Sequence, residues 1–126
     1  MSVEEPAILL VDDEPDINYM LERMLKTKGY QVHTYNDPQK ALAEFKAGIY
    51  ALAILDFKMR PINGFELYQQ ILKIDDNLKV LFLSADSEHY AEEKKNLPVS
   101  GARFYMHKPI RMQQLLKQVQ DMLGKR

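Results

Sequence analysis

Four short apolar runs in this chain each stop on a residue capable of chemistry. Ala7–Val11 runs into Asp12, Asp13 and Glu14, and Ala51–Leu55 runs into Asp56. Val80–Leu83 runs into Ser84 and Ala85, and Phe104–Met106 leads to Lys108 and Pro109. Uninterrupted apolar runs of strand length are the signature of strands buried on both faces, which requires a parallel sheet covered by helices on either side. In open parallel sheets ligands bind beyond the C-terminal ends of the strands. That edge would gather an acid pair, a further acid, a hydroxyl and an amine.

The segments between the runs read as helices. Ile17, Met20, Leu21, Met24 and Leu25 recur at helical spacing and stop at Lys28-Gly29. Gln31–Tyr35 alternates weakly, as an edge strand does. Asp37-Pro38 pairs an N-cap with a first-turn proline, opening a helix over Ala41, Leu42 and Phe45 that Gly48 would end. Phe65, Tyr68, Ile71 and Leu72 mark a third helix, and the polar segment 87–96 reads as a short exposed fourth. Met112, Leu115, Leu116, Val119, Met122 and Leu123 mark a last one. Five strands alternating with five helices, joined by right-handed crossovers, predict a flavodoxin-like three-layer α/β/α fold with strand order 2-1-3-4-5. Its switch point falls beside the first and third strands, those ending in Asp12-Asp13 and Asp56.

Composition narrows the function. The 126 residues suit a single domain over 1–126, and the net charge of −1 carries no basic excess for nucleic acid. There is no cysteine, hence no disulfide framework or thiol chemistry. Met1–Glu5 lacks the character of a signal peptide, and the apolar runs are too short to span a bilayer, so the expected location is the cytoplasm.

Three converging carboxylates repel one another and favour a divalent cation, for which Mg²⁺ is the natural candidate and Mn²⁺ a substitute. A carboxylate that attacks phosphorus also needs positive charge and donors facing the transferring oxygens. Lys108, Ser84 and the backbone N–H near Ala85 could supply them. Taken singly, each residue has a plainer use. Asp12, Asp13 and Glu14 ahead of Pro15 could cap the first helix, Asp56 could start a turn, Ser84 could cap, and Lys108-Pro109 could be a turn. Their coincidence at one sheet edge favours the site.

Val11-Asp12-Asp13-Glu14, Asp56-Phe57-Lys58-Met59 with Gly64, Ser84-Ala85 and Lys108-Pro109 together resemble the response-regulator receiver domain of two-component signalling, in order and spacing, from about Ile8 to Leu123. The resemblance implies that Asp56 accepts a phosphoryl group from a histidine kinase or phosphotransfer protein. It also implies that Asp13 binds Mg²⁺ directly, Asp12 chiefly through water, and Lys58 through its carbonyl. Ser84 would bond a phosphoryl oxygen, Lys108 would pair with the phosphate, and a cis peptide would precede Pro109. Tyr105 would be the aromatic switch that turns inward as Ser84 moves. Output would pass to a downstream protein or output domain through the face made by the 87–96 helix, the last strand and the last helix. A phosphorylation-dependent homodimer through that face is left open. The domain itself would bind neither nucleic acid nor membrane, and its chemistry would be limited to its own phosphorylation and dephosphorylation.

Two departures from the family pattern stand out. Arg60 occupies a position usually held by proline, which comes one residue later at Pro61. The stretch from Ser84 to Lys108 is about two residues longer than usual, with Leu97–Ser100 expected to absorb the excess. Lys58 and Asp86 fall at positions that tune phosphoryl lifetime, and a contact between them across the mouth of the site would obstruct attacking water. Other classes fit less well. A hydrolase using Asp56 as nucleophile would usually carry an aspartate where Lys58 stands. A nucleotide- or flavin-binding module would need a glycine-rich loop where Asp13-Glu14-Pro15 stands. A degenerate receiver acting as a scaffold would not need a complete site.

Overall fold

The computed structural model describes residues 6–85 and 103–124. Five strands, β1 (Ala7–Val11), β2 (Val32–Tyr35), β3 (Tyr50–Asp56), β4 (Lys79–Ser84) and β5 (Arg103–His107), form one sheet in the order β2-β1-β3-β4-β5. Every neighbouring pair is parallel. The topology is the flavodoxin-like one that the alternation of runs and helices implied. Four helices lie among the described residues: α1 (Pro15–Thr27), α2 (Pro38–Glu44), α3 (Gly64–Leu72) and α4 (Met112–Leu123). The helix expected over 87–96 and the insertion at Leu97–Ser100 lie outside them.

Side chains alternate across a strand, so each central strand feeds two cores. Leu9, Val11, Ala53, Leu55, Val80 and Phe82 point to the layer holding Ala41, Leu67, Tyr68 and Ile71 of α2 and α3. Ile8, Leu10, Leu52, Ile54, Leu81 and Leu83 point to the layer holding Leu21, Leu25, Leu115, Val119 and Met122 of α1 and α4. All five residues of β1 are buried. This two-sided burial is why the runs are continuous rather than alternating, and each fully buried Leu or Ile contributes about 1.5–3 kcal/mol.

Local signals set the helix ends. Asp37 accepts the N–H of Gln39 at 2.9 Å, as its place before Pro38 suggested. Asn63 and Glu66 form a reciprocal capping box at the start of α3. Gly29 follows α1 with φ 93°, a left-handed conformation that L side chains avoid. Two helices differ from the sequence expectation. α2 ends at Glu44, short of Gly48, because Phe45 turns extended and stacks on Tyr50 with ring centroids 5.4 Å apart. In α1 the buried positions are Asn18, Leu21 and Leu25, while Met20 is 54% exposed. Ile17 and Met24 pack against the same core as Leu21 and Leu25, so the stripe differs from the apolar one in losing Met20 and in gaining a polar residue, Asn18. Among the described residues no helix is long and apolar enough to cross a membrane.

Candidate functional site

The C-terminal ends of β1, β3, β4 and β5 meet at one edge of the sheet. Asp12 follows β1, and its N–H bonds Tyr35 O at the end of β2. Asp56 is the last residue of β3, and the next N–H, of Phe57, bonds Leu83 O of β4 at 2.7 Å. Ser84 ends β4, and its carbonyl accepts the N–H of Lys108 at 2.7 Å. The backbone ladder thus carries each functional residue to its neighbour.

The side chains converge as the sequence implied. Lys108 Nζ lies 3.2 Å from Asp12 Oδ2, 3.3 Å from Asp56 Oδ1 and 3.2 Å from Glu14 Oε1. Carboxylate oxygens of Asp12, Asp13 and Asp56 all lie within 4.8 Å of one another, with Asp13 exposed and the other two buried. Ser84 is buried at the adjacent strand end, and Ala85 is exposed beside it. Lys58 is exposed on the loop after β3, and Asp86 lies outside the described residues, so the contact expected between them has no described counterpart. Tyr105 is half-buried on β5, its ring 6.1 Å from that of Phe57 and 6.4 Å from that of Phe82. The Lys108–Pro109 peptide is cis, as the resemblance implied, and so is Arg60–Pro61.

Burial and mutual repulsion govern the protonation of this cluster. Burial, and then the charge of Asp12, push the Asp56 carboxyl from 3.8 up to about 7, against the pull of Lys108. Burial likewise raises Asp12, although the Glu14 N–H at 2.9 Å and Lys108 favour its anion. Burial alone would lower Lys108, but Asp12 and Asp56 outweigh it and hold the ammonium above its usual range. One ammonium therefore does not balance the carboxylates around it. Three closely spaced hard oxygen donors, with an excess of negative charge, suit a divalent cation such as Mg²⁺.

Two residues that the sequence left without a structural role, Asn18 and Gly64, lie against the backbone that carries the acids. Asn18 is 3% exposed, and the two hydrogens of its Nδ2 are shared among Asp12 O at 2.6 Å, Tyr35 O at 3.2 Å and Asn36 Oδ1. It ties the acidic loop to the end of β2. The signal for it was a polar residue in register with Leu21 and Leu25. Gly64 served in the sequence only as a marker of spacing. A Cβ added there would sit 2.4 Å from the carbonyl oxygen of Asp56 and 3.1 Å from Phe57 Cα. Helix α3 starts directly against the backbone that carries Asp56, with Gly64 N bonded to Phe57 O at 2.9 Å. Beside the acids, a groove of about 440 Å³ runs between α1 and the start of α4, with Ile17, Met20, Ile110 and Met112 along it and Glu14 and Lys108 at its rim.

Comparison with known proteins agrees with this fold. The family model of the response regulator receiver domain matches residues 8–120. The transcriptional regulatory protein TctD of Salmonella typhimurium is 34% identical over 108 residues, 86% of this chain and 47% of that protein. TrcR of Mycobacterium tuberculosis is 28% identical over 116 residues, 92% of this chain and 44% of that protein. The chain thus spans about half the length of these curated relatives. The crystal structure of response regulator TrrA from Thermotoga maritima, in complex with Mg²⁺-BeF, is similar at 33% identity and a TM-score of 0.79, covering 94% of this chain and all of that one. A CheY-like receiver from Methanospirillum hungatei shares the fold at 24% identity and a TM-score of 0.82, covering 95% and 94% of the two chains.

Proposed function

The chain belongs to the response regulator receiver family of two-component signalling, and on that premise we propose that Asp56 is its phosphoacceptor and that residues 1–126 act as one receiver unit. The observation that carries this is the Asp56–Lys108 pair at 3.3 Å, set between the acid pair of β1 and the buried hydroxyl of β4.

Asp12, Asp13, Asp56 and the carbonyl of Lys58 would hold Mg²⁺, or Mn²⁺ in its place; when bound, it would neutralise both the carboxylates and the phosphoryl oxygens. The protein's own groups do the rest. Asp56, anionic once its neighbours are compensated, presents one oxygen to phosphorus. Lys108, already in contact with that carboxylate, offers its ammonium to an equatorial phosphoryl oxygen. The Ser84 hydroxyl and the Ala85 N–H are the donors on the opposite strand end. Such fixed charges and dipoles stabilise the transition state because they need little reorganisation.

The product carries about two negative charges in place of one. Lys108 and Ser84 would shift toward it, and Tyr105 would pack further inward against Phe57 and Phe82. A coupling of about 1–3 kcal/mol changes partner affinity roughly five- to hundredfold, enough for a switch. The readout surface we favour is the 87–96 segment with β5 and α4, either toward an output domain of the kind transcriptional relatives carry or toward a second copy. The phosphodonor is a histidine kinase or phosphotransfer protein. The net charge of −1 supports a domain that leaves nucleic acid to its output. We place the protein in the cytoplasm and limit its catalysis to its own aspartyl phosphate.

The test is intact mass after incubation with acetyl phosphate and Mg²⁺, wild type beside Asp56→Asn. One added phosphoryl group, dependent on Mg²⁺ and absent from the variant, is the expected result. An adduct that persists in Asp56→Asn would move the acceptor elsewhere. No adduct, together with no change in spectra on adding beryllofluoride, would leave only the scaffold reading.

A further inference from the structure

Lys108 has one carboxylate partner more than phosphoryl transfer to Asp56 calls for. Asp12 and Asp56 belong to the set of three acids whose oxygens cluster within 4.8 Å, and Glu14 does not. A divalent cation on that set would compensate two of the carboxylates around Lys108 and leave Glu14 with its full charge. Glu14, 3.2 Å from the ammonium in this structure, is then the acid left to hold it once a cation is bound. Among the described residues no other partner claims its side chain: Glu14 stands at the N-cap of α1 but makes no capping hydrogen bond. Its side chain is 59% exposed against 12% for Lys108, so the contact sits at the entrance, on the rim of the groove beside the acids.

We propose that Glu14 is a specificity-determining residue of the site, which holds Lys108 back from small anionic phosphodonors and repels them, so that the receiver discriminates against such donors. The inference rests on Asp56 being the phosphoacceptor. In the step concerned, an oxygen of Asp56 forms a bond to phosphorus while the bond from phosphorus to the donor's leaving atom breaks. With acetyl phosphate the P–O bond breaks and acetate leaves with its electron pair; with phosphoramidate the P–N bond breaks and ammonia leaves. Lys108 must turn from Glu14 to the phosphoryl oxygens as this happens. Each unit of charge on the donor raises the repulsion it meets from Glu14, and salt weakens the effect because Glu14 is exposed.

The experiment compares initial rates of phosphorylation at saturating Mg²⁺ for wild type, Glu14→Gln and Glu14→Asp, read by intact mass. The donors are acetyl phosphate and phosphoramidate, which carries one charge less at neutral pH. A partly exposed pair of this kind is worth up to about 1 kcal/mol, so Glu14→Gln should react about two- to fivefold faster with acetyl phosphate. The gain should be smaller with phosphoramidate and should shrink at high salt. Glu14→Asp keeps the charge but shortens its reach by one methylene, and its rate should fall between the other two. A Glu14→Gln rate equal to or below wild type would overturn the proposal, as would a gain equal for both donors. A Glu14→Asp rate equal to wild type would overturn contact with Lys108 as the cause. Adduct forming at the same rate in all three proteins would sink this inference and leave the receiver reading intact; adduct in none of them would sink both.

Discussion

Replacing Asp56 should stabilise the metal-free protein, and only above a certain pH. The Asp56 carboxyl is raised from 3.8 to about 7 by burial and by Asp12. A folded-state value above the unfolded one means that the native chain keeps a proton which the unfolded chain has already released. Stability therefore falls as pH rises between those two values, and the full penalty is present above about pH 7. A shift of about 3 units corresponds to roughly 4 kcal/mol. Asp56→Asn removes the charge but brings its own cost. Lys108 loses one of its three carboxylate partners among the described residues, and a buried amide without good partners costs about 1–3 kcal/mol. A net gain of about 1–3 kcal/mol should remain at about pH 8, a rise in Tm of roughly 3–10 °C for a domain of this size. Thermal unfolding of both proteins in EDTA, at about pH 8 and about pH 5, measures it. At about pH 5 only about 1.6 kcal/mol of that penalty has developed, which the cost of the buried amide offsets, so the advantage should vanish. Saturating Mg²⁺ at the higher pH should also narrow it, because a ligand that binds the native state raises wild-type stability by mass action. An Asp56→Asn protein less stable than wild type at about pH 8 in EDTA, or equally advantaged at both pH values, would refute the electrostatic account of this site.

Three further predictions follow from the same geometry. Mg²⁺ affinity, followed by calorimetry, should fall by up to about tenfold per pH unit below about 7 and level off above it, since the ion must displace the Asp56 proton; a flat profile would contradict the raised carboxyl. Gly64→Ala should cost about 1–3 kcal/mol in urea unfolding and slow phosphorylation, because its Cβ would meet Asp56 O at 2.4 Å; wild-type stability with a wild-type rate would show that the contact relaxes freely. Asn18→Ala should lose about 1–3 kcal/mol by stripping the side-chain donor from Asp12 O and Tyr35 O, and should weaken Mg²⁺ binding as the acidic loop loosens, whereas an unchanged Mg²⁺ affinity would make the residue purely structural.

The fold was legible because its central strands, β1, β3 and β4, have no polar face. Ile8 and Leu10 serve one core while Leu9 and Val11 serve the other, so the chain must write both as apolar, and a continuous run is the result. The acids and Lys108 were legible for a related reason. A run buried on both sides makes its first polar residue conspicuous, and in a parallel sheet all such ends share one edge. Asn18 was hidden by the opposite circumstance. In α1 the sequence offers Met20 and Ile17 as apolar members of the stripe, yet Met20 is 54% exposed and both line the groove beside Lys108. Hydrophobicity alone placed Leu21, Leu25, Ile17 and Met24 correctly against the core, but it counted Met20 in and left Asn18 out. The buried positions at 18, 21 and 25 also fit helical spacing, but choosing them requires knowing that a carbonyl of the acidic loop and one at the end of β2 wait for a donor.

Gly64 and Glu14 mark the further reach of what spacing can say. The interval from Asp56 to Gly64 identified a position, but the reason for glycine there is a tertiary approach between the start of α3 and the end of β3, 2.4 Å from a missing Cβ. Glu14 reads as one of three consecutive acids ahead of a helix, equally suited to capping or to metal. It does neither in the described geometry: no cap is made, and its carboxylate lies outside the cluster of Asp12, Asp13 and Asp56. It turns instead to an amine ninety-four positions away. Local sequence can place a charge at the mouth of a site. Which charge it meets there depends on strand order, and strand order is what decides that the end of β5 lies within reach of the start of α1.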